Sequence, residues 1–152
     1  MVRYKATISY DGTLFSGFQR QPNARSIQEE LEKTLLRLNS GTPVTVHGAG
    51  RTDAGVHAYG QVVNFFTDGM IPLNRVLCAA NSLLPEDIVV KRACEADREF
   101  SARHSAKGKT YLYRLSIGET PDPMLARYSW YLRRKLSLPA MRSALAQLSR
   151  ST

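Results

Sequence analysis

The sequence predicts an α+β fold, an antiparallel sheet with helices packed on one face, on three observations. Residues 3–10 alternate apolar and polar, residues 27–38 and 72–84 carry apolar side chains at helical spacing, and β-like runs flank each helix. At 152 residues, 43% hydrophobic and 22% charged, the chain has the composition of a globular protein. A chain of this length buries roughly two-thirds of its unfolded surface.

In the first strand Tyr4, Ala6, Ile8 and Tyr10 share one face, and Arg3, Lys5, Thr7 and Ser9 the other. Asp11-Gly12 ends it in a turn. The loop at 13–22 carries Phe15, Phe18, Gln19, Arg20 and Gln21, rings and amides that suit bases and phosphates if exposed. The alternative is a loop whose Phe side chains pack under the sheet edge. Ser26-Ile27-Gln28-Glu29 reads as a capping box, and Ile27, Leu31, Leu35 and Leu38 line one face of the helix that follows. Val44-Thr45-Val46 is expected as a short strand, and 60–67 as the next. Pro72 opens a second helix that stops before Pro85, and Ile88 to Cys94 forms a further strand. The order β-α-β-β-α-β is that of the split βαβ, ferredoxin-like arrangement, whose open sheet face is a common RNA platform.

After the basic segment 100–109, which holds Arg103, Lys107 and Lys109, a fifth strand is expected at 110–117 with Tyr111, Tyr113, Leu115 and Ile117 on one face. Residues 1–118 are then the ferredoxin-like half. Residues 119–152 are a basic, aromatic connection and a terminal helix at 138–149 with Met141, Leu145 and Leu148 in a stripe.

Lys and Arg number 21 against 13 Asp and Glu, a net charge of +8, which points to an anionic partner, nucleic acid first, or to a surface that keeps the protein soluble. No apolar run approaches the roughly 20 residues of a membrane span, and with strand-like alternation starting at once no signal peptide is expected. Cys78 and Cys94 form no CxxC and are expected as reduced, buried thiols of a cytoplasmic protein. His47, His57 and His104 form no metal-binding motif, so neither a metal nor another cofactor is expected.

Gly48-Ala49-Gly50-Arg51-Thr52-Asp53-Ala54-Gly55-Val56-His57 is a tight, glycine-rich loop holding one cation and one carboxylate two positions apart. Such an Arg can keep the Asp ionised and aimed, as a carboxylate nucleophile requires. A turn-capping Asp beside a solvated Arg is the alternative. The loop lacks both the GKS/T of a P-loop and the GxGxxG of a dinucleotide site, which argues against a small enzyme of phosphorylated metabolites.

These residues resemble the tRNA pseudouridine synthase A family. The match runs through Tyr10-Asp11-Gly12 with Phe15, Gly17, Gln19 and Gln21, then Ser26-Ile27-Gln28 with Leu31-Glu32. It continues through Gly48 to His57 with Gly60-Gln61-Val62, Asn81 with Leu84-Pro85, Phe100-Ser101-Ala102-Arg103, and Lys109 with Tyr111 and Tyr113. The resemblance implies an isomerase that converts uridine to pseudouridine in the anticodon arm of tRNA. Asp53 would be the nucleophile, Arg51 would pair with it and help extrude the base, and Tyr111 would stack on the flipped uracil. Phe18, Gln19, Arg20, Gln21, Arg103, Lys107 and Lys109 would contact RNA, and the family is homodimeric. Phe18 stands for a usual Trp, Asn64 for a usual His and His104 for a usual Phe. Members of the family are longer, so the chain is expected to be an N-terminal portion that alone binds tRNA weakly and makes no pseudouridine. A non-catalytic ferredoxin-like RNA-binding module is the competing reading, against which a carboxylate facing phosphates counts.

Overall fold

In a computed structural model, which describes residues 1–69 and 71–148, the chain divides into two compact units, Met1–Lys109 and Thr110–Thr152. The first is built on β1, Val2–Tyr10, whose alternation places Tyr4, Ala6, Ile8 and Tyr10 in the core at 4% exposure or less. β1 lies between β3, Ala58–Thr67, and β4, Ile88–Glu95, antiparallel to both. β2 is the pair His47–Gly48, antiparallel to β3, which completes a four-stranded sheet in the order β2-β3-β1-β4.

Two helices cover the core face. In α1, Ile27–Leu38, the Ser26 hydroxyl accepts from the Glu29 N–H at 3.3 Å, capping the first turn. Glu29 and Glu30 at its start and Arg37 at its end complement the helix dipole. Ile27, Leu31 and Leu35 are buried, and each stabilises by roughly 1.5–3 kcal/mol relative to exposure. α2 starts as a π-helical turn, Arg75–Ala79, and ends as an α-helical turn, Ala80–Leu83, with Val76 and Ala80 in the core. The Asn81 amide then bonds both backbone groups of Val90, at 2.8 and 3.0 Å, fastening α2 to β4.

The opposite face of the sheet is not open. Ala102, buried, donates its N–H to Asn64 Oδ1 at 2.8 Å, Arg3 Nη1 donates to the Phe100 carbonyl, and Lys5 Nζ sits 5.2 Å from the Phe100 ring. The segment 100–105 is thereby strapped across β1 and β3.

Three expectations are corrected here. Residues 44–46 form no strand: Val44 and Val46 are buried, but the backbone of Val46 is bonded by α1 side chains. Its N–H goes to Glu32 Oε1 at 3.1 Å and its carbonyl to Gln28 Nε2 at 3.1 Å. Cys78 and Cys94 are exposed. Thr7 pairs with Arg92 and Ile8 with Val90, so Lys91 is an inserted residue, and this bulge sends Cys94 to the face of Lys5 instead of the core. Residues 110–114 are not a strand, and Tyr111 and Tyr113 are 75% and 86% exposed.

In the second unit β5, Leu115–Ile117, pairs in parallel with β6, Trp130–Leu132, as a separate two-stranded sheet. α3 runs Leu138–Leu148 and buries none of its residues; Leu145 and Leu148 of the expected stripe are 63% and 69% exposed. Position 149 of the expected helix lies outside the described residues.

Candidate active site

The glycine-rich loop joins β2 to β3 and is clamped on both sides of Arg51. Gln61 Nε2, from β3, donates to the Gly50 carbonyl. The Tyr10 hydroxyl, from β1, bonds Thr52 Oγ1 at 2.8 Å, and the Thr52 carbonyl accepts from the Phe18 N–H at 3.0 Å. Burial pushes the Tyr10 hydroxyl pKa up, with the Thr52 hydrogen bond opposing. Beyond Asp53 the chain turns back: the Val56 N–H donates to the Asp53 carbonyl at 3.2 Å and the Gly55 N–H to the Phe15 carbonyl at 3.2 Å. His57 Nδ1 accepts from the Gly12 N–H at 3.1 Å and lies 3.0 Å from Asp11 Oδ1.

Such approaches require glycine. At Gly17, φ is +98° and a β-carbon would stand 2.7 Å from the Thr52 carbonyl oxygen. The result is a rigid support from which Arg51 and Asp53 both emerge exposed. No ion pair joins those two side chains among the described residues. The loop aims each by its backbone.

Beside the loop runs a cleft of about 680 Å³, floored by Arg3, Asn64 and Phe66 of the sheet and walled by Gly48, Gly50 and Arg51 on one side and Phe100, Ser101, Arg103 and His104 on the other. Arg3, Arg51, Arg103 and Lys109 line it, with His47 and His104, and no Asp or Glu does. Lys109 Nζ lies against Gly50, 3.0 Å from where a β-carbon would stand. A cleft of one sign concentrates ligands of the other.

A family described as tRNA pseudouridine synthase matches residues 6–105. The chain belongs to the tRNA pseudouridine synthase family. Relatives named tRNA pseudouridine synthase A from Streptococcus thermophilus (strain CNRZ 1066), Streptococcus suis (strain 05ZYH33) and Streptococcus mutans serotype c are 56%, 49% and 46% identical to it over 148 residues, 97% of this chain. The chain spans about 60% of the length of these relatives.

In this pseudouridine synthase family member, Arg51, Gln19, Arg103 and Lys109 are all on the cleft. Phe18 is there too, but at 3% exposure its ring belongs to the core, as does that of Phe15 at 4%, so of the two readings of that loop the packed one holds. Arg20 is tied to Glu32 at 3.3 Å, and Gln21 Nε2 donates to the Ser16 carbonyl at 2.8 Å. Arg25, stacked over Phe15 at 4.2 Å, is paired with Asp87 at 3.0 Å. Lys107 is exposed and not on the cleft, and Tyr111 is exposed in the second unit.

Nothing in the sequence marks Gln61 or Tyr10 as a support of the loop. A hydrogen bond from a strand to a loop carbonyl leaves no local sequence signal. Arg3 and Asn64 were likewise read as sheet residues; their places on the polar face of the sheet were the available signal. Among the described residues no group of three or more His, Cys, Asp or Glu side chains could hold a metal ion, and no helix is long and apolar enough to cross a membrane.

Proposed function

We propose that the chain is the Asp53-bearing part of an isomerase that converts uridine to pseudouridine in the anticodon arm of tRNA. The carrying observation is the cleft lined by Arg3, Arg51, Arg103 and Lys109, with no carboxylate, beside a loop that holds Asp53 exposed on a rigid turn. Phosphates enter the cleft, and Asp53, on the loop beside it, serves as the nucleophile. The target base leaves its stack to be reached. The Asp53 carboxylate attacks the nucleotide, and the bond between the ribose C1′ and N1 of uracil breaks. Uracil rotates, C5 bonds to C1′ as the bond from Asp53 to the nucleotide breaks and frees the carboxylate, the C5 proton leaves and N1 gains one. Reactant and product are isomers, so the step needs no oxidant or reductant. Arg51 is the group that helps hold the base out of the stack, Tyr111 stacks on it, and Gln19, Arg103, Lys107 and Lys109 contact RNA.

The element order β-α-β-β-α-β with strand order β2-β3-β1-β4 supports reading the first unit as a ferredoxin-like half-domain. A cytoplasmic homodimer is the assembly we assign, on the family resemblance.

Asp53→Asn tests the reading, because Asn keeps shape and hydrogen bonding but is no anionic nucleophile. In the complete enzyme, pseudouridine formation on unmodified tRNA disappears, while tRNA affinity stays equal or rises slightly. Turnover near wild type in the variant would remove Asp53 from the chemistry.

A further inference from the structure

The floor of the cleft holds two hydrogen-bond donors that the fold itself does not use. Lys5 pairs with Asn64 and Arg3 with Phe66, so Arg3 and Asn64 project from one face of the sheet as diagonal neighbours, a relation that spans roughly 7–8 Å. Both line the cleft. Asn64 is 4% exposed, and its Oδ1 is committed to the Ala102 N–H at 2.8 Å, which fixes the orientation of the amide. The NH₂ group is left on the cleft side, and no described residue accepts from it. Arg3 is held just as firmly, with its guanidinium 3.9 Å over the Phe66 ring and Nη1 on the Phe100 carbonyl. Its Nε is buried with no partner.

A buried donor without an acceptor is costly, and Arg3 Nε is one; with the unpaired Asn64 NH₂ beside it on the cleft, it marks a place shaped for an acceptor. His47 stands directly opposite Asn64 across β2 and β3, and Arg103 and Lys109 line the same cleft. Donors of this kind among cations fit an oxygen that carries negative charge. A base carbonyl would satisfy the two donors but would leave the surrounding charge without a role. We propose that Asn64 and Arg3 form a subsite for a phosphodiester group of an RNA strand lying in the cleft. The proposal rests on the cleft taking RNA, as above.

The test is binding of fluorescently labelled single-stranded RNA oligonucleotides of several sequences, by anisotropy over a range of salt. Asn64→Asp keeps an oxygen for Ala102 but replaces the donating NH₂ by a carboxylate oxygen. Affinity falls about tenfold or more, equally for every sequence, and the log-log salt slope shrinks by about 0.7, the share of one phosphate on a single strand. Amide exchange at Ala102 stays as slow as in the wild type. Arg3→Lys keeps the charge and removes Nε together with the Nη1 bond to the Phe100 carbonyl; with Tm unchanged it weakens binding several-fold and decides the matter should Asn64→Asp fail to fold. Thr45→Asp, exposed on the same cleft, adds an equal charge away from the floor, and at high salt it costs far less.

Wild-type affinity in Asn64→Asp and Arg3→Lys overturns the subsite. So does a loss in Asn64→Asp that Thr45→Asp matches, or a base-dependent loss with the salt slope unchanged, which is the mark of a base-edge contact. A wild-type chain that binds no RNA at all overturns the reading of the cleft itself.

Discussion

Replacing Gly12 by Ala drives a methyl group into the back of the glycine-rich loop. A β-carbon there would stand 2.1 Å from the Val56 carbonyl oxygen, 2.6 Å from its carbon and 3.0 Å from its nitrogen. All three are backbone atoms, so no rotamer change relieves the contact. Reaching even 3.0 Å requires the turn at Gly12 and the loop at Val56 to part by about 0.9 Å, from the difference between 3.0 and 2.1 Å. That movement weakens the bond from Gly12 N–H to His57 Nδ1 at 3.1 Å and the bond from Val56 N–H to the Asp53 carbonyl at 3.2 Å. With overpacking at roughly 1–3 kcal/mol and each bond at about 1 kcal/mol, the expected loss is about 3–5 kcal/mol. That is a large part of a stability margin of roughly 5–15 kcal/mol. In a thermal melt followed by circular dichroism it lowers Tm by roughly 10–20 °C. Gly55→Ala is the control. Its φ is +77° but nothing lies within 4 Å of the added carbon, so it carries backbone strain alone, roughly 1–2 kcal/mol. A Gly12→Ala protein that melts with or above Gly55→Ala would refute the contact between the two loops.

Tyr10→Phe keeps the ring, 6.5 Å from that of Phe18, and deletes the bond to Thr52; the expected cost is about 1–3 kcal/mol by chemical denaturation. Because burial raises the Tyr10 pKa in the folded state above the ordinary value of 10.0, the protonated hydroxyl favours the fold. Its contribution is fully present below pH 10 and is lost as pH rises through the folded pKa. Wild-type stability that already declines with Tyr10 ionisation near pH 8 contradicts this. In the proposed reaction, Tyr111→Phe keeps stacking and loses the hydroxyl, whereas Tyr111→Ala also loses roughly 1–3 kcal/mol of stacking. Equal impairment in a pseudouridine assay assigns the role to the hydroxyl, and a silent Phe variant assigns it to the ring. Leu145→Lys, at a position 63% exposed, leaves Tm within experimental error, since little apolar surface is buried there to lose. A Tm drop of several degrees would place that side chain in a packed site.

The elements that local chemistry specifies were legible in the sequence. The alternation of β1 named the buried set Tyr4, Ala6, Ile8 and Tyr10, and the Ser26 cap and the Leu31 and Leu35 spacing placed α1. What was not legible depends on partners remote in sequence. Val46 lost its place in a strand to Gln28 and Glu32, whose side chains reach its backbone first. Cys94 left the core because one inserted residue in β4, visible only once β4 is paired with β1, reverses the alternation. Tyr111 and Tyr113 alternate as a strand would, but the ladder begins at Leu115, where Trp130 supplies a partner. In the site, the glycine-rich loop announced itself and its clamps did not. Glycine frequency is a property of the loop alone, whereas the bond from Gln61 to Gly50 is a property of two elements.

The displaced cysteine has a practical side. Pairing runs from Cys94 to Lys5, from Lys5 to Asn64 and from Asn64 to His47, one row across all four strands. With strands about 4.8 Å apart, Cys94 stands roughly 10 Å from the cleft floor at Asn64. Neither thiol lines the cleft, and both are exposed. An environment-sensitive dye coupled to Cys94 therefore reads occupancy of the cleft optically without touching what occupies it. Cys78, on the helix that covers the opposite face of the sheet, carries the matching reference label.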